Sequence, residues 1–217
     1  MSAARSAIFT HLRKSLARGA LDAATQNDLR ARLASPHCGP QPLLQSDTLA
    51  LFSDKVGAAA GRVAQAREPA QVVKAVQDFL LEHSIPPTLV VAADPHLASL
   101  PWPTGLQAHY RPLHSDDTTA ITCAYAGVAE TGSLVLLSGP LTPTRFNFLP
   151  DNFLCLLPRH RIVAHMEDVW GLVRKERAGL PRSLNFITGP SRTADVEQVI
   201  QLGAHGPRRL LVVIVGE

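Results

Sequence analysis

Hydrophobic residues near the start of the chain recur at the spacing of an α-helix. Ile8, Leu12 and Leu16 follow one another at four-residue intervals, which places them on one helix face. A second short helix is predicted to follow. Residues 35–42 then contain three prolines, which lack amide donors and interrupt helices. We therefore interpret residues 1–45 as a helical arm that ends in a proline-rich linker.

From residue 46 onward, helical periodicity alternates with short, continuous apolar runs. Helices are predicted at residues 48–60, 69–83 and 167–177. Strands are predicted at residues 62–65, 88–92, 127–129, 133–137, 153–157, 184–187 and 210–215. Apolar runs without alternation are typical of strands that are covered on both faces. Residues 46–217 are therefore predicted to form one α/β domain, with a mainly parallel or mixed sheet and helices on both sides.

Composition and charge narrow the classes of partner. Hydrophobic residues make up 46% of the chain and charged residues 18%, and the formal net charge is +3, with Lys and Arg scattered among acidic residues. This distribution disfavours a nucleic-acid partner. No apolar run approaches the roughly eighteen residues of a membrane helix, and the N-terminus has no secretory apolar core. We expect a cytoplasmic protein with no membrane partner.

Metal and cofactor signatures are missing from the sequence. Cys38, Cys123 and Cys155 are far apart and have no C-x-x-C spacing, which argues against a disulfide scaffold, a zinc site and an iron–sulfur cluster. His160 and His165 are off the spacing that places two ligands on one helix face. Neither G-x-G-x-x-G nor a Walker loop occurs. We expect no metal or cluster on this chain, and the cofactor stays unknown.

The turn between the predicted strands 127–129 and 133–137 carries reactive side chains. Glu130 is a candidate catalytic base, nucleophile or hydrogen-bond acceptor. Thr131, Gly132 and Ser133 are candidate ligand contacts, since a glycine with positive φ lets a ligand approach the backbone. An ordinary strand-to-strand turn is the alternative interpretation.

The loop after the predicted strand 184–187 is a second candidate. Its hydroxyl groups are predicted to cap a following helix, and a guanidinium beside free helix amides would favour a carboxylate or phosphate. Helix capping alone is the alternative. The candidate ligand contacts here are Gly189, Ser191, Arg192, Thr193 and Asp195.

Two further loops add one candidate ligand contact each. His205 lies in a tight turn before the last predicted strand, where an acid, a ligand contact or a hydrogen-bonded turn residue are all open. Arg145 lies in the loop 143–150, where it either presents its charged group to a ligand or forms a surface salt bridge.

Several of these segments resemble one known family. A-E-T-G-S-L-V from Ala129, F-I-T-G-P-S-R-T-A-D-V-E from Phe186 and L-G-A-H-G-P from Leu202 occur in the order found in lactate utilization (LUD) domains. The resemblance spans residues 47–217, and the last segment is similar to the lactate utilization protein C branch. The loop R-F-N-F-L-P at Arg145 departs from the serine-bearing version of the family.

The resemblance implies a three-layer αβα fold of the NagB, ribose-5-phosphate isomerase and CoA-transferase-like kind. It also implies the non-iron–sulfur component of a three-part L-lactate oxidation system, with iron–sulfur oxidoreductase subunits as partners. The implied ligand is a small anion or an acyl, phosphate or CoA-like group. Glu130, Ser133, Arg192 and Asp195 would bind it.

Two other functions stay open at the level of sequence. One is a stand-alone enzyme of the CoA-transferase or sugar-phosphate isomerase type, in which Glu130 acts as nucleophile or base. The other is a structural adaptor that holds redox subunits together. The sequence also leaves open the ligand, the electron acceptor and the oligomeric state, including a homodimer.

Overall fold

The computed structural model describes residues 3–17, 19–35, 38–44, 47–194, 200–203 and 205–216. The chain divides into two units, residues 1–40 and 41–217. The first unit contains two helices, α1 (Ala3–Ser15) and α2 (Ala23–Ala34). Asp22 begins α2, because its carboxylate accepts the Thr25 amide at 2.8 Å. None of the described residues in these two helices is buried.

The second unit alternates helices and strands. Its elements are α3 (Thr48–Ala58), β1 (Arg62–Ala66), α4 (Pro69–Glu82), β2 (Thr88–Val91), α5 (Pro95–Ala98), β3 (Gln107–His109), β4 (Thr119–Cys123), β5 (Ala126–Val128), β6 (Ser133–Leu137), α6 (Arg145–Phe148), β7 (Asn152–Pro158), a single 3₁₀ turn (Arg159–Arg161), β8 (Ile162–Val163), α7 (Met166–Glu176), β9 (Leu184–Ile187), β10 (Arg192–Ala194), β11 (Ile200–Leu202) and β12 (Arg209–Val215).

Six parallel strands form the main sheet, in the order β1-β12-β7-β4-β2-β3. Leu154 of β7 lies between Ile121 of β4 and Leu211 of β12. Successive residues of β7 point to opposite faces, so Leu154 joins one hydrophobic cluster and Phe153 joins another. Both faces of the sheet are therefore buried, as the continuous apolar runs predicted.

Helices cover both faces of this sheet. On one face, α4 contributes Val76 and Phe79 to the cluster that includes Leu154. On the other face, α3 contributes Phe52 and Val56 to the cluster that includes Phe153. The predicted α/β fold, with a mainly parallel sheet between layers of helices, is confirmed.

A second sheet of four strands, β8-β5-β6-β9, lies beside α3. Leu134 of β6 faces the core of the main sheet, whereas Val135 faces α7 and packs with Val169 and Val173. The strands predicted near 127–129, 133–137 and 184–187 thus belong to this second sheet. They hold the first two candidate segments side by side.

The structure differs from the predictions at several elements, among them the short unpredicted elements α5, β3 and β8. The central strand β4 was not predicted, because its threonines disguise a buried segment in which Thr119 and Thr122 are almost fully covered. The loop at 143–150 contains the short helix α6. Instead of a helix after Ser191, β10 pairs with β11 as an antiparallel hairpin, in agreement with the β-branched residues Thr193 and Ile200.

No helix in the described part of the chain is both long enough and apolar enough to cross a membrane.

Candidate functional site

The turn that carries Glu130 is fixed to the start of α7. β5 runs parallel to β8, so the residues that follow these two strands lie next to each other. The Ala129 amide donates to the Val163 carbonyl at 2.9 Å, and the Glu130 amide donates to the Ala164 carbonyl at 3.1 Å. The side chain of Glu130 is thereby placed beside the N-terminus of α7.

Both carboxylate oxygens of Glu130 accept hydrogen bonds. Oε2 lies 2.9 Å from Nδ1 of His165, and Oε1 accepts the amide of Met166, the first residue of α7, at 2.8 Å. Partial burial raises the pKa of Glu130, but the hydrogen bonds from His165 and Met166 outweigh it and the pKa lies below its ordinary value. Glu130 is therefore an ionised acceptor at neutral pH.

The imidazole of His165 is held in one orientation. Because a carboxylate only accepts hydrogen bonds, the pairing places the ring hydrogen on Nδ1 and leaves Nε2 as the basic nitrogen. The backbone amide of His165 also donates to Oδ2 of Asp168 at 2.9 Å, which fixes the start of α7. The two paired side chains are 14% and 13% exposed, so water competes little for the bond.

A chain of three hydroxyl groups links the first two candidate segments. Oγ of Ser133 lies 2.7 Å from Oγ1 of Thr131 and 2.6 Å from Oγ1 of Thr188. The antiparallel pairing of β6 with β9 brings Ser133 and Thr188 together. Ser133 is buried and Thr188 is exposed, so the chain of hydroxyls leads from the interior to the surface.

The two glycines of these turns are needed for packing on α3. Gly132 has φ +68, and a Cβ there would lie 2.7 Å from the Val56 amide nitrogen. Gly189 has φ +76, and a Cβ there would lie 2.5 Å from the Ala59 carbonyl oxygen. The backbone of α3 and of the residue after it therefore occupies the space that a side chain at either position would need, and the ligand contact at Gly132 stays a prediction.

Ser191 connects the second and third candidate segments. Its amide donates to the Pro207 carbonyl at 2.8 Å, and its carbonyl accepts the Gly203 amide at 2.9 Å. Arg192 is the first residue of β10, and both Arg192 and His205 are exposed. Among the described residues, neither of these side chains makes a hydrogen bond or an ion pair. No such contact therefore connects Arg192 or His205 with Glu130.

The predicted helix cap in this segment is wrong. Arg192 and Thr193 lie in the extended strand β10, so the free helix amides that were expected beside Arg192 are replaced by strand pairing. Asp195, predicted to lie in the first turn of that helix, falls outside the described residues.

Arg145 is placed apart from these contacts. It is the first residue of α6, and its Nη1 donates to the carbonyl of Leu113 at 2.8 Å. The guanidinium thus binds the backbone of the loop before β4. Among the described residues it forms no salt bridge, and its contact with a ligand stays a prediction.

Two residues of the site were not singled out from the sequence as ligand contacts. His165 was considered only for its spacing from His160, and Thr188 only as the start of its loop. His165 could have been noticed as a polar residue that follows a short apolar strand. That observation points to Glu130 only when the pairing of β8 with β5 is known. Within the described residues, no group of three or more His, Cys, Asp or Glu side chains is arranged to hold a metal ion.

Comparison with known proteins identifies the family. The LUD domain family matches residues 115–215. The lactate utilization protein C of Anoxybacillus flavithermus is 34% identical over 88 residues, which cover 41% of this chain and 39% of that protein. That of Deinococcus radiodurans is 31% identical over 196 residues, which cover 86% of this chain and 88% of that protein. The chain belongs to the lactate utilization protein C family.

Matches to several members of this family are confined to part of their length. The matched region spans 43% of lactate utilization protein C 1 from Bacillus mycoides, at 33% identity, and 45% of this chain. The chain thus spans less than half the length of several curated relatives that it matches. The LUD region of this family member contains Glu130, His165 and the hydroxyl chain.

A solved structure supports the fold of this family member. The crystal structure of a DUF162 family protein from Deinococcus radiodurans has a TM-score of 0.58 and 20% sequence identity. The match covers 81% of this chain and all of that one. It shows the fold alone. The likeness to NagB and CoA-transferases stays a prediction.

Proposed function

We propose that this protein is the non-iron–sulfur component of a three-part system that oxidises L-lactate to pyruvate. Its partners in this proposal are iron–sulfur oxidoreductase subunits. The relatives that carry the name lactate utilization protein C support this role. The chain would bind a small anionic ligand beside the turn that carries Glu130.

The single observation that carries the proposal is the contact between Glu130 and His165. A carboxylate that accepts from Nδ1 orients an imidazole and fixes which ring nitrogen carries the hydrogen. Since both oxygens of Glu130 are already hydrogen-bonded, the geometry favours Glu130 as a group that positions His165 over Glu130 as a free nucleophile. The catalytic base in this proposal is Nε2 of His165.

The chemistry of lactate oxidation requires such a base. Conversion of lactate to pyruvate removes two electrons and two protons, and one of these protons leaves the C2 hydroxyl group. Nε2 of His165 would accept that proton, while the C2 hydrogen leaves with both electrons, as a hydride, to a hydride-accepting cofactor of the redox partners, which passes the electrons on to their iron–sulfur clusters. In this proposal the hydroxyl groups of Thr131 and Thr188 donate hydrogen bonds to the ligand. The exposed guanidinium of Arg192 forms an ion pair with the carboxylate of the ligand.

Growth on L-lactate as the sole carbon source tests the proposal. A strain that lacks the gene should fail to grow, and the wild-type gene should restore growth. His165→Asn should reduce lactate oxidation in extracts by about 100-fold, the typical contribution of a general base. His160→Asn is the matched control, because His160 is exposed on the neighbouring 3₁₀ turn.

The outcomes separate the role from the site. Normal growth of the deletion strain would remove the role in lactate utilization. Full restoration by His165→Asn would keep the role and remove the assigned base. Arg192→Gln should raise the lactate concentration needed for half-maximal oxidation and leave the maximal rate nearly unchanged.

A further inference from the structure

A cleft with several cationic side chains lies at the amino-terminal ends of β1 and β12, outside the candidate site. Its volume is about 530 Å³, which is within the range of small-molecule sites. The end of α4 closes one side of it. The residues that line it include Arg62, Phe79, His83, Arg208 and Arg209.

Two of the three guanidinium groups form ion pairs with carboxylates, and exposure to solvent weakens both pairs. Arg62 pairs with Glu82, and the two side chains are 56% and 44% exposed. Nε of Arg208 lies 3.4 Å from Oδ1 of Asp151, and those side chains are 60% and 49% exposed. Exposed pairs of this kind contribute little to stability, so a ligand can replace the carboxylates at small cost.

The third guanidinium has a neutral partner. Nη1 of Arg209 donates to Oδ1 of Asn152 at 3.2 Å. Asn152 is buried, and its Nδ2 donates to the Thr118 carbonyl and to Oγ1 of Thr119, both at 3.1 Å. Arg209 is therefore fixed in the lining of the cleft, and no carboxylate among the described residues balances its charge.

The backbone and the remaining side chains hold this arrangement in place. The amides of Arg208 and Arg209 both donate to the Asp151 carbonyl, at 2.7 and 3.1 Å. The ring of His83 packs edge-on against Phe79, with ring centres 4.7 Å apart. The backbone at the start of β12 and the ring of His83 are therefore fixed beside the cleft.

We infer that this cleft binds a phosphate-bearing small molecule. Guanidinium groups from β1 and from the start of β12 suit the several oxygens and the double charge of a phosphate, whereas a single carboxylate needs one guanidinium. The cleft is also larger than a free phosphate ion, so an organic phosphate of about mononucleotide size fits it best. This inference does not depend on the proposed role in lactate oxidation.

Calorimetric titration of the full chain at low ionic strength tests the inference. AMP should bind, and adenosine, which lacks the phosphate, should not. Arg209→Gln should weaken AMP binding at least about tenfold, because one charge-assisted contact is lost. Arg159→Gln removes the same charge from an exposed position that follows the opposite end of β7, and it should leave AMP binding unchanged.

A titration with inorganic phosphate distinguishes a free phosphate ion from an organic phosphate as the ligand of the cleft. Binding as tight as that of AMP would identify free phosphate as the occupant, and weaker binding would identify an organic phosphate. If Arg209→Gln fails to fold, Arg208→Gln and Arg62→Gln replace it, because both residues are exposed and their substitution should leave the fold intact. Each should weaken AMP binding several-fold. Absence of binding by both AMP and phosphate at about millimolar concentration, or an equal loss in Arg159→Gln, would overturn the inference.

Discussion

Nδ1 of His165 lies 2.9 Å from Oε2 of Glu130, although the two residues are separated by 35 positions in the sequence. The parallel pairing of β5 with β8 creates this contact, because each residue follows closely on its own strand. The other oxygen of Glu130 accepts the first amide of α7. One carboxylate therefore fixes a helix start and orients an imidazole, and these two roles are separable by experiment.

The depressed pKa of Glu130 predicts how stability depends on pH. A carboxyl group whose pKa is lower in the folded state contributes stability above its ordinary pKa, and this contribution is lost as the pH falls through the folded value. Glu130→Gln should therefore destabilise the protein at pH 7, and its difference from wild type should shrink below about pH 4.5. Urea unfolding at a series of pH values measures this difference.

Glu167→Gln is the control for that experiment, because Glu167 is an exposed carboxylate in the first turn of the same helix. It should change the free energy of unfolding by less than about 0.5 kcal/mol at any pH. A constant difference between Glu130→Gln and wild type from pH 7 to pH 3 would contradict the assignment of the stabilising charge to Glu130.

Asp117 forms a bidentate ion pair with Arg111 in the loop before β4. Nη1 and Nη2 of Arg111 each lie 2.7 Å from one of its oxygens, and the His114 amide donates to Oδ2 at 2.7 Å. The hydrogen bonds from Arg111 outweigh desolvation and, with the His114 amide, lower the pKa of Asp117 to about 2. Asp117→Asn should reduce the free energy of unfolding by about 1 kcal/mol at pH 7, after allowing for the partial exposure of Arg111.

That loss should be present above the ordinary pKa of aspartate and should disappear as the pH falls toward 2, because wild-type Asp117 then becomes protonated as well. Asp116→Asn removes the same charge from the neighbouring exposed residue and should be nearly neutral. Equal losses in the two variants would show that net charge is responsible, and that the bidentate pair is not.

Ser133 is the central member of the hydroxyl chain and is 1% exposed. Ser133→Ala removes the common partner of Thr131 and Thr188, so it should reduce the free energy of unfolding by about 1–2 kcal/mol. Ser115→Ala, at an exposed position, is the control and should be nearly neutral. Thermal unfolding of Ser133→Ala, Thr188→Val and the double variant gives the coupling, which should differ from zero by at least about 0.5 kcal/mol.

The helix and strand periods were enough to predict the α/β class and most of the buried strands. They failed at β4, where Thr119 and Thr122 are buried beside apolar neighbours and hide the strand from a hydrophobicity pattern. They also failed at β10, because short hairpins depend on pairing with a distant partner more than on local sequence.

The candidate site, like the fold, was predictable from the sequence only in part. Glu130 and Ser133 were accessible to sequence reasoning, because both lie in a polar turn between two apolar runs. The contact between Glu130 and His165 was not, since it exists only after β5 and β8 pair. The close approach of α3 to Gly132 was also not accessible from the sequence, because it depends on how the turn packs on a distant helix.

The close approach of the Glu130 turn to α3 gives a prediction with a sharp internal control. Gly132→Ala would place Cβ 2.7 Å from the Val56 amide nitrogen at a φ of +68, so both backbone strain and overlap with α3 oppose it. We expect a loss of about 3 kcal/mol or more in the free energy of unfolding, since the Val56 amide nitrogen and the Lys55 carbonyl carbon are backbone atoms that cannot rotate away. Gly57→Ala, within α3 itself, adds a Cβ that meets nothing within 4 Å, and it should stabilise the protein by about 0.5–1 kcal/mol. Urea unfolding of both variants measures the two opposite shifts, and tolerance of alanine at position 132 would show that the turn does not pack on α3.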